Sequence, residues 1–176
     1  MKLFMTITLA LSILSAESFT LKSDTMSGQL VKKQEFSGFG CDGQNISPEL
    51  HWVDAPKETK SFAVTVYDPD APTGSGWWHW IVYNIPSKTT SLPEDFGNIT
   101  KPSTLKVVQA LTDYGTTGYG GACPPKGDRP HRYIFTIHAL NVDHLDIDAK
   151  ASPALVGYMI NSHSIAKATL VSYYGR

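Results

Sequence analysis

Hydrophobic and polar residues alternate in short runs along most of this chain. In the run Ser61–Asp68, Phe62, Val64 and Val66 share one face of an extended strand, and Ala63, Thr65 and Tyr67 share the other. Both faces are largely apolar, which predicts a strand buried on both sides. The run from Trp78 to Ile85 reads the same way. Farther on, Tyr133, Phe135, Ile137 and Ala139 alternate with Arg132, Ile134, Thr136 and His138, and near the C-terminus Ala168 and Leu170 oppose Thr169 and Val171. Glycine, proline and Asp-Gly turn signals separate these runs. One helix is expected: Ser152 can cap it, Pro153 suits the first helical position, and Leu155, Val156, Met159 and Ile160 follow at helical spacing. Asn161 to Ser164 would end it. Many short strands and one late helix predict a mainly β fold, an antiparallel β-sandwich with one or two peripheral helices.

The N-terminus departs from this pattern. Lys2 precedes an apolar run from Leu3 to Leu14, and Ser15, Ala16, Glu17 and Ser18 follow. A basic start, an apolar stretch of about a dozen residues and small residues after it describe a secretory signal peptide. A membrane span would need roughly twenty apolar residues. Cleavage after Ser18 places small residues at both positions that matter, and cleavage after Ala16 fits less well. Residues 1–18 are therefore read as a signal peptide and 19–176 as one domain, periplasmic or secreted. No cysteine stands at the boundary to take a lipid anchor.

Export changes the reading of the two cysteines. Cys41 and Cys123 would meet an oxidising compartment, where an even count favours pairing. Two buried free thiols are the alternative. Composition adds exclusions. At 176 residues, 41% hydrophobic and 18% charged, the chain can build a real core. A net charge of -1, with Lys32–Lys33 the one adjacent basic pair, gives no footprint for nucleic acid.

Three stretches carry unusual polar residues. Asp68-Pro69-Asp70-Ala71-Pro72 ends a buried strand, so its carboxylates sit at the strand mouth. His79 lies among Trp77, Trp78 and Trp80, and strand parity puts it on a face with Ile81, Tyr83 and Ile85. Gly120–Gly127, which includes Gly121, Cys123 and two prolines, precedes His131-Arg132-Tyr133, where His131 and Tyr133 point the same way. Glycines there let backbone N–H groups approach a ligand. Singly, each stretch also fits a plain structural role: a core histidine, a tight turn, an ordinary loop.

Together, the DPDAP segment, the tryptophan–histidine strand and the GxxxPPKGxxxHRY stretch resemble the phosphatidylethanolamine-binding protein family, also called Raf kinase inhibitor-like proteins. The resemblance runs from about Phe19 to the end, and the secreted form and the two cysteines are similar to its bacterial periplasmic branch. It implies a sandwich of two antiparallel sheets with a small anion pocket at one end. Asp68, with Asp70 beside it, His79, Gly121, Cys123, His131 and Tyr133 would form that pocket. Its ligand would be a phosphate or phosphorylethanolamine-like group, without cofactor or metal. A pairing of Cys41 with Cys123 would stiffen the loop beside it. The imidazoles, phenol and loop N–H groups would supply donors, and Asp68 would orient a histidine. The tryptophans are expected as core and rim. A protein partner and a homodimer are further expectations.

A non-enzymatic binding protein is thus the favoured reading. A phosphoester hydrolase using Asp68, His79 and His131 is the alternative from a different class, although no Gly-x-Ser-x-Gly elbow is present. A metal site lacks HExxH spacing, and an inhibitor-type interaction module would not depend on the pocket. Asn45-Ile-Ser and Asn98-Ile-Thr are read as loop residues.

Overall fold

The computed structural model describes residues 18–176. Most of the segment read as a signal peptide lies outside the described residues. The central sheet is built by the long alternating runs: β5 (Ser61–Asp68), β6 (Trp77–Pro86), β9 (His131–Leu140) and β10 (Ser164–Tyr174), with the short β8 (Val108–Gln109) at one edge. Their order is β10-β9-β5-β6-β8, and every neighbouring pair is antiparallel. A smaller sheet of β1 (Thr20–Lys22), β4 (Leu50–Val53) and β7 (Ser91–Leu92) packs across it. A two-stranded hairpin, β2 (Ser37–Gly38) and β3 (Cys41–Asp42), stands apart from both.

The main core lies between the two sheets. Phe62, Val64, Val66, Phe135 and Ile137 from the large sheet meet Leu21, Leu50, Trp52 and Leu92 from the small one. A second cluster covers the opposite face of the large sheet. There Ala63, Ile81, Tyr83 and Leu140 pack beneath Val156 and Ile160 of helix α1 (Pro153–His163). Ser152 caps α1, and its side chain accepts from the N–H of Leu155. β5 is therefore buried on both faces, as its doubly apolar pattern predicts.

Parity breaks twice along β6, and this positions the site. Val66 pairs with Trp80 but Tyr67 pairs with Trp78, so His79 is an extra residue in a β-bulge. A second bulge lies between the Val64–Val82 and Phe62–Ile85 pairs. Unbroken alternation would group His79 with Ile81, Tyr83 and Ile85, and the structure corrects this. Ile81 and Tyr83 lie in the cluster with α1, Ile85 returns to the main core, and His79 turns against Tyr133.

Candidate functional site

Asp68 and His131 sit at the same end of the large sheet, on the face that holds the main core. Asp68 follows Val66 at a two-residue step on β5, and His131 precedes Tyr133 on β9. Around them a cavity of about 180 Å³ opens, lined also by Phe39, Trp77, His79, Tyr114, Tyr133 and the Cys123–Pro125 loop. Of the predicted site residues it gathers Asp68, His79, Cys123, His131 and Tyr133.

Asp68 organises the floor. Its Oδ1 accepts from the backbone N–H groups of Asp70 at 2.8 Å and Ala71 at 3.1 Å, a turn that the two prolines favour. Its Oδ2 accepts from His131 Nδ1 at 2.8 Å. Both side chains are 3% exposed, so water does not compete. The bond fixes the ring and leaves Nε2 outward, 3.5 Å from Asp128 Oδ2.

His79 is held differently. Its Nδ1 lies 2.8 Å from the carbonyl of Gly120 and 3.1 Å from that of Gly121. Two carbonyls can only accept, so Nδ1 carries the proton and Nε2 carries a lone pair. Burial, the dominant influence, keeps this imidazole neutral by lowering its pKa, against the opposing pull of Gly120 and Asp68. His79 Nε2, Tyr133 Oη and Trp77 Nε1 are buried polar atoms without a hydrogen-bond partner among the described residues. Burial also raises the Tyr133 and Tyr114 phenols, with Asp68 adding to both, so each stays a neutral hydroxyl. Tyr114 spends its hydroxyl on the carbonyl of Gly121 at 2.8 Å.

Two expectations are corrected. Asp70 does not line the cavity: Arg132 grips it at 2.8 and 2.9 Å and Arg129 at 3.1 Å, which holds its carboxyl well below the usual range. In the Gly121 loop, Gly121 and Ala122 do not offer their N–H groups to the cavity as expected. Gly121 N–H donates to Asn45 Oδ1 at 2.7 Å and Ala122 N–H to the carbonyl of Gln34 at 3.2 Å. Its glycine answers to packing, since a Cβ on Gly121 would lie 2.2 Å from the carbonyl oxygen of Gln34.

Cys41 and Cys123 are bonded, with Cα atoms 6.0 Å apart. The bond ties the β2–β3 hairpin to the cavity loop. Glu35 holds the hairpin from the other side, accepting from Asp42 N–H at 3.0 Å and from the Tyr174 hydroxyl. At the hairpin tip Phe39, 70% exposed, reaches the cavity mouth, where Phe36 stacks on Tyr114 at 4.1 Å. Sequence reasoning missed Phe39, Tyr114 and Asn45. All three come from loops, where no periodicity reports direction. The tryptophans divide as core and rim: Trp80 is fully buried and Trp77 lines the cavity.

Among the described residues, no three possible metal ligands converge in the cavity. Asp24, Glu49 and His51 bring ligand atoms within 4.8 Å of one another, but none of them lines the cavity, and Glu49 already accepts from the Asp24 backbone N–H and bonds His51 Nδ1.

The two-sheet antiparallel sandwich defines a fold class, and comparison with known proteins bears that class out. The family model for phosphatidylethanolamine-binding protein matches residues 23–175, and the chain belongs to this family. The UPF0098 protein YbcL of Escherichia coli K12 is 55% identical over 148 residues, covering 83% of this chain and 80% of that one. YbhB of the same organism is 52% identical over 146 residues, covering 83% and 92%. The crystal structure of E. coli YbcL, described as a new member of the mammalian PEBP family, superposes with a TM-score of 0.85, covering 90% of this chain and 98% of that one. The homologue CT736 of Chlamydia trachomatis superposes at 0.74 with 33% identity, again over 90% and 98%.

Proposed function

We propose that this protein is an exported, non-enzymatic binding protein whose cavity takes a small oxyanion, a phosphate or phosphorylethanolamine-like group. The carrying observation is the set of buried polar atoms left without partners at the cavity, Tyr133 Oη and Trp77 Nε1 as donors and His79 Nε2 as acceptor. An unpaired buried polar atom costs about 1–3 kcal/mol, and a ligand that satisfies all three recovers that cost. The Asp68–His131 pair keeps a further imidazole in a fixed pose. The family name supports the ligand class, and the Cys41–Cys123 bond fits an oxidising compartment.

Several features favour binding over catalysis. The pair lacks a nucleophile: Cys123 is tied in its disulfide, and the Thr73 hydroxyl donates to the carbonyl of Gly76 at 2.6 Å. An NMR titration of the protein with phosphorylethanolamine, phosphate and acetate tests the proposal. Saturable shifts at His79, Gly121, Cys123 and His131, weakened about tenfold or more in Tyr133→Phe, are expected. No shift at millimolar ligand, or steady phosphoester turnover lost in His131→Ala, would sink it.

A further inference from the structure

The cavity has an unusual balance for a phosphate site. Among the described residues no lysine or arginine lines it; Arg129 and Arg132 are committed to Asp70, and Arg176 donates to the carbonyls of Pro124 at 2.6 Å and Gly40 at 2.7 Å. Asp68 brings a carboxylate to its floor, and Asp128 another beside His131. A dianion would enter with no full positive charge fixed among its walls.

The hydrogen-bonding pattern is just as specific. Tyr133 and Trp77 offer hydrogens, but His79 does not. Its one proton is bound to the carbonyls of Gly120 and Gly121, and both contacts are short enough to hold it there. His79 Nε2 presents a lone pair. A fully deprotonated phosphoryl oxygen set directly against it would be lone pair against lone pair.

We infer that the cavity selects a phosphomonoester in its singly protonated, monoanionic form, with the P–OH hydrogen donated to His79 Nε2, and discriminates against phosphodiesters. This rests on the proposed oxyanion site and deepens it. A diester carries one negative charge but no P–OH hydrogen, so it cannot satisfy His79. An intact phospholipid head group is a diester, and a free phosphorylated head group is a monoester. The chemistry of one imidazole thus separates two sources of the same phosphorylethanolamine moiety.

The groups around His79 do not supply the missing hydrogen. Asp68 from β5 accepts from His131, and Asp113, which precedes Tyr114, accepts from the N–H of Trp78. Tyr114 is bound to Gly121, and Tyr133 and His131 on β9 face the ligand themselves.

Calorimetric titration of the purified protein from pH 5 to 8 compares phosphorylethanolamine with glycerophosphorylethanolamine. Near pH 5.5 the monoester should bind about tenfold or more tighter, and above its second ionisation, near pH 6, its Kd should weaken about tenfold per pH unit. The diester should show no such loss. Equal affinities, or the same pH profile for both esters, overturn the inference while leaving the oxyanion site standing. Failure of both to bind at millimolar concentration overturns the site itself and the inference with it. In the monoester complex, the His79 Nε2 nitrogen resonance should move toward the protonated position while Nδ1 stays protonated. An unmoved Nε2 resonance in a saturated complex would also overturn the inference.

Discussion

Replacing Asp68 by asparagine exchanges one carboxylate oxygen for an NH2 group with almost no change of shape. The native Oδ1 receives two backbone N–H groups, those of Asp70 and Ala71, and Oδ2 receives His131 Nδ1–H. All three partners are donors. Asparagine has one acceptor oxygen, so it can serve only one side. If that oxygen keeps the two backbone donors, the NH2 confronts His131 Nδ1–H, and the imidazole must move its proton to Nε2. If it keeps His131, the NH2 confronts two amide hydrogens. The first arrangement sacrifices less. It still converts three bonds to a carboxylate into bonds between neutral groups, a loss of about 1 kcal/mol each and about 3 kcal/mol together. For a domain of this size that corresponds to a fall in Tm of roughly 6–12 °C. Thermal unfolding measures the loss, and nitrogen NMR of the ring reports whether the His131 proton has moved to Nε2. A variant within about 0.5 kcal/mol of the parent, with the proton still on Nδ1, would refute the claim that Asp68 sets the pose of His131.

The disulfide closes a separation of 82 residues, worth about 4.5 kcal/mol in the chain-entropy model. Cys41→Ser with Cys123→Ser should therefore lower Tm by roughly 9–18 °C in a calorimetric scan; a change under a few degrees would contradict this. Gly121→Ala should destabilise by about 3 kcal/mol or prevent folding, because its Cβ meets backbone of Gln34, Glu35 and Phe36 at 2.2–2.6 Å. Gly28→Ala, with nothing within 4 Å, should be neutral when both variants are compared with the parent by denaturant titration. Burial, with Lys167 adding, lowers the His138 pKa to about 3, and burial lowers that of His79 too. For His138, a folded-state value below the unfolded one of about 6.5 means stability that is complete above that pH and lost as pH falls toward 3, by about 1.4 kcal/mol per unit, and His79 acts in the same direction. His138→Gln should flatten the stability profile between pH 6 and 4; an unchanged slope would show that His138 does not contribute.

The long elements were legible because each carries its own pattern. β5, β9 and β10 alternate, and α1 has a cap, a proline at its start and apolar residues at helical spacing. The two-residue strands β2, β3, β7 and β8 were not, because they are strands only by virtue of a partner. The same distinction runs through the site. Asp68, His131 and Tyr133 could be placed by parity from apolar neighbours on their own strands. Asp70 could not be told from Asp68, although both stand in one turn. What separates them is Arg132, across the sheet end, which binds Asp70 through both its backbone N–H and its guanidinium. Gly121 looked like a donor because its sequence says how closely a ligand can approach, and nothing about Asn45, which had already taken its hydrogen.

His79 sits where two demands on one sheet face conflict. The face that points between the sheets must be apolar along most of its length, and Val66, Trp80 and Phe135 keep it so. A binding site at the sheet end needs polar atoms on that same face. Asp68 and His131 meet this need by lying at strand ends, where the core stops. His79 lies inside β6, one residue from fully buried Trp80, and regular alternation would send it to the opposite face. The bulge removes the conflict. It adds one residue opposite the Val66–Tyr67 step, turns the imidazole inward beside Tyr133, and restores alternation from Trp80 to Tyr83, where the second bulge follows. The cost is a locally unpaired backbone, and here the structure reuses it: the carbonyl of His79 receives Gly120 N–H at 2.8 Å, while its ring returns a hydrogen to Gly120. The irregularity that defeats the sequence pattern is therefore the same one that locks the tautomer. Any substitution that straightens the bulge should move His79 out of the cavity before it disturbs the core.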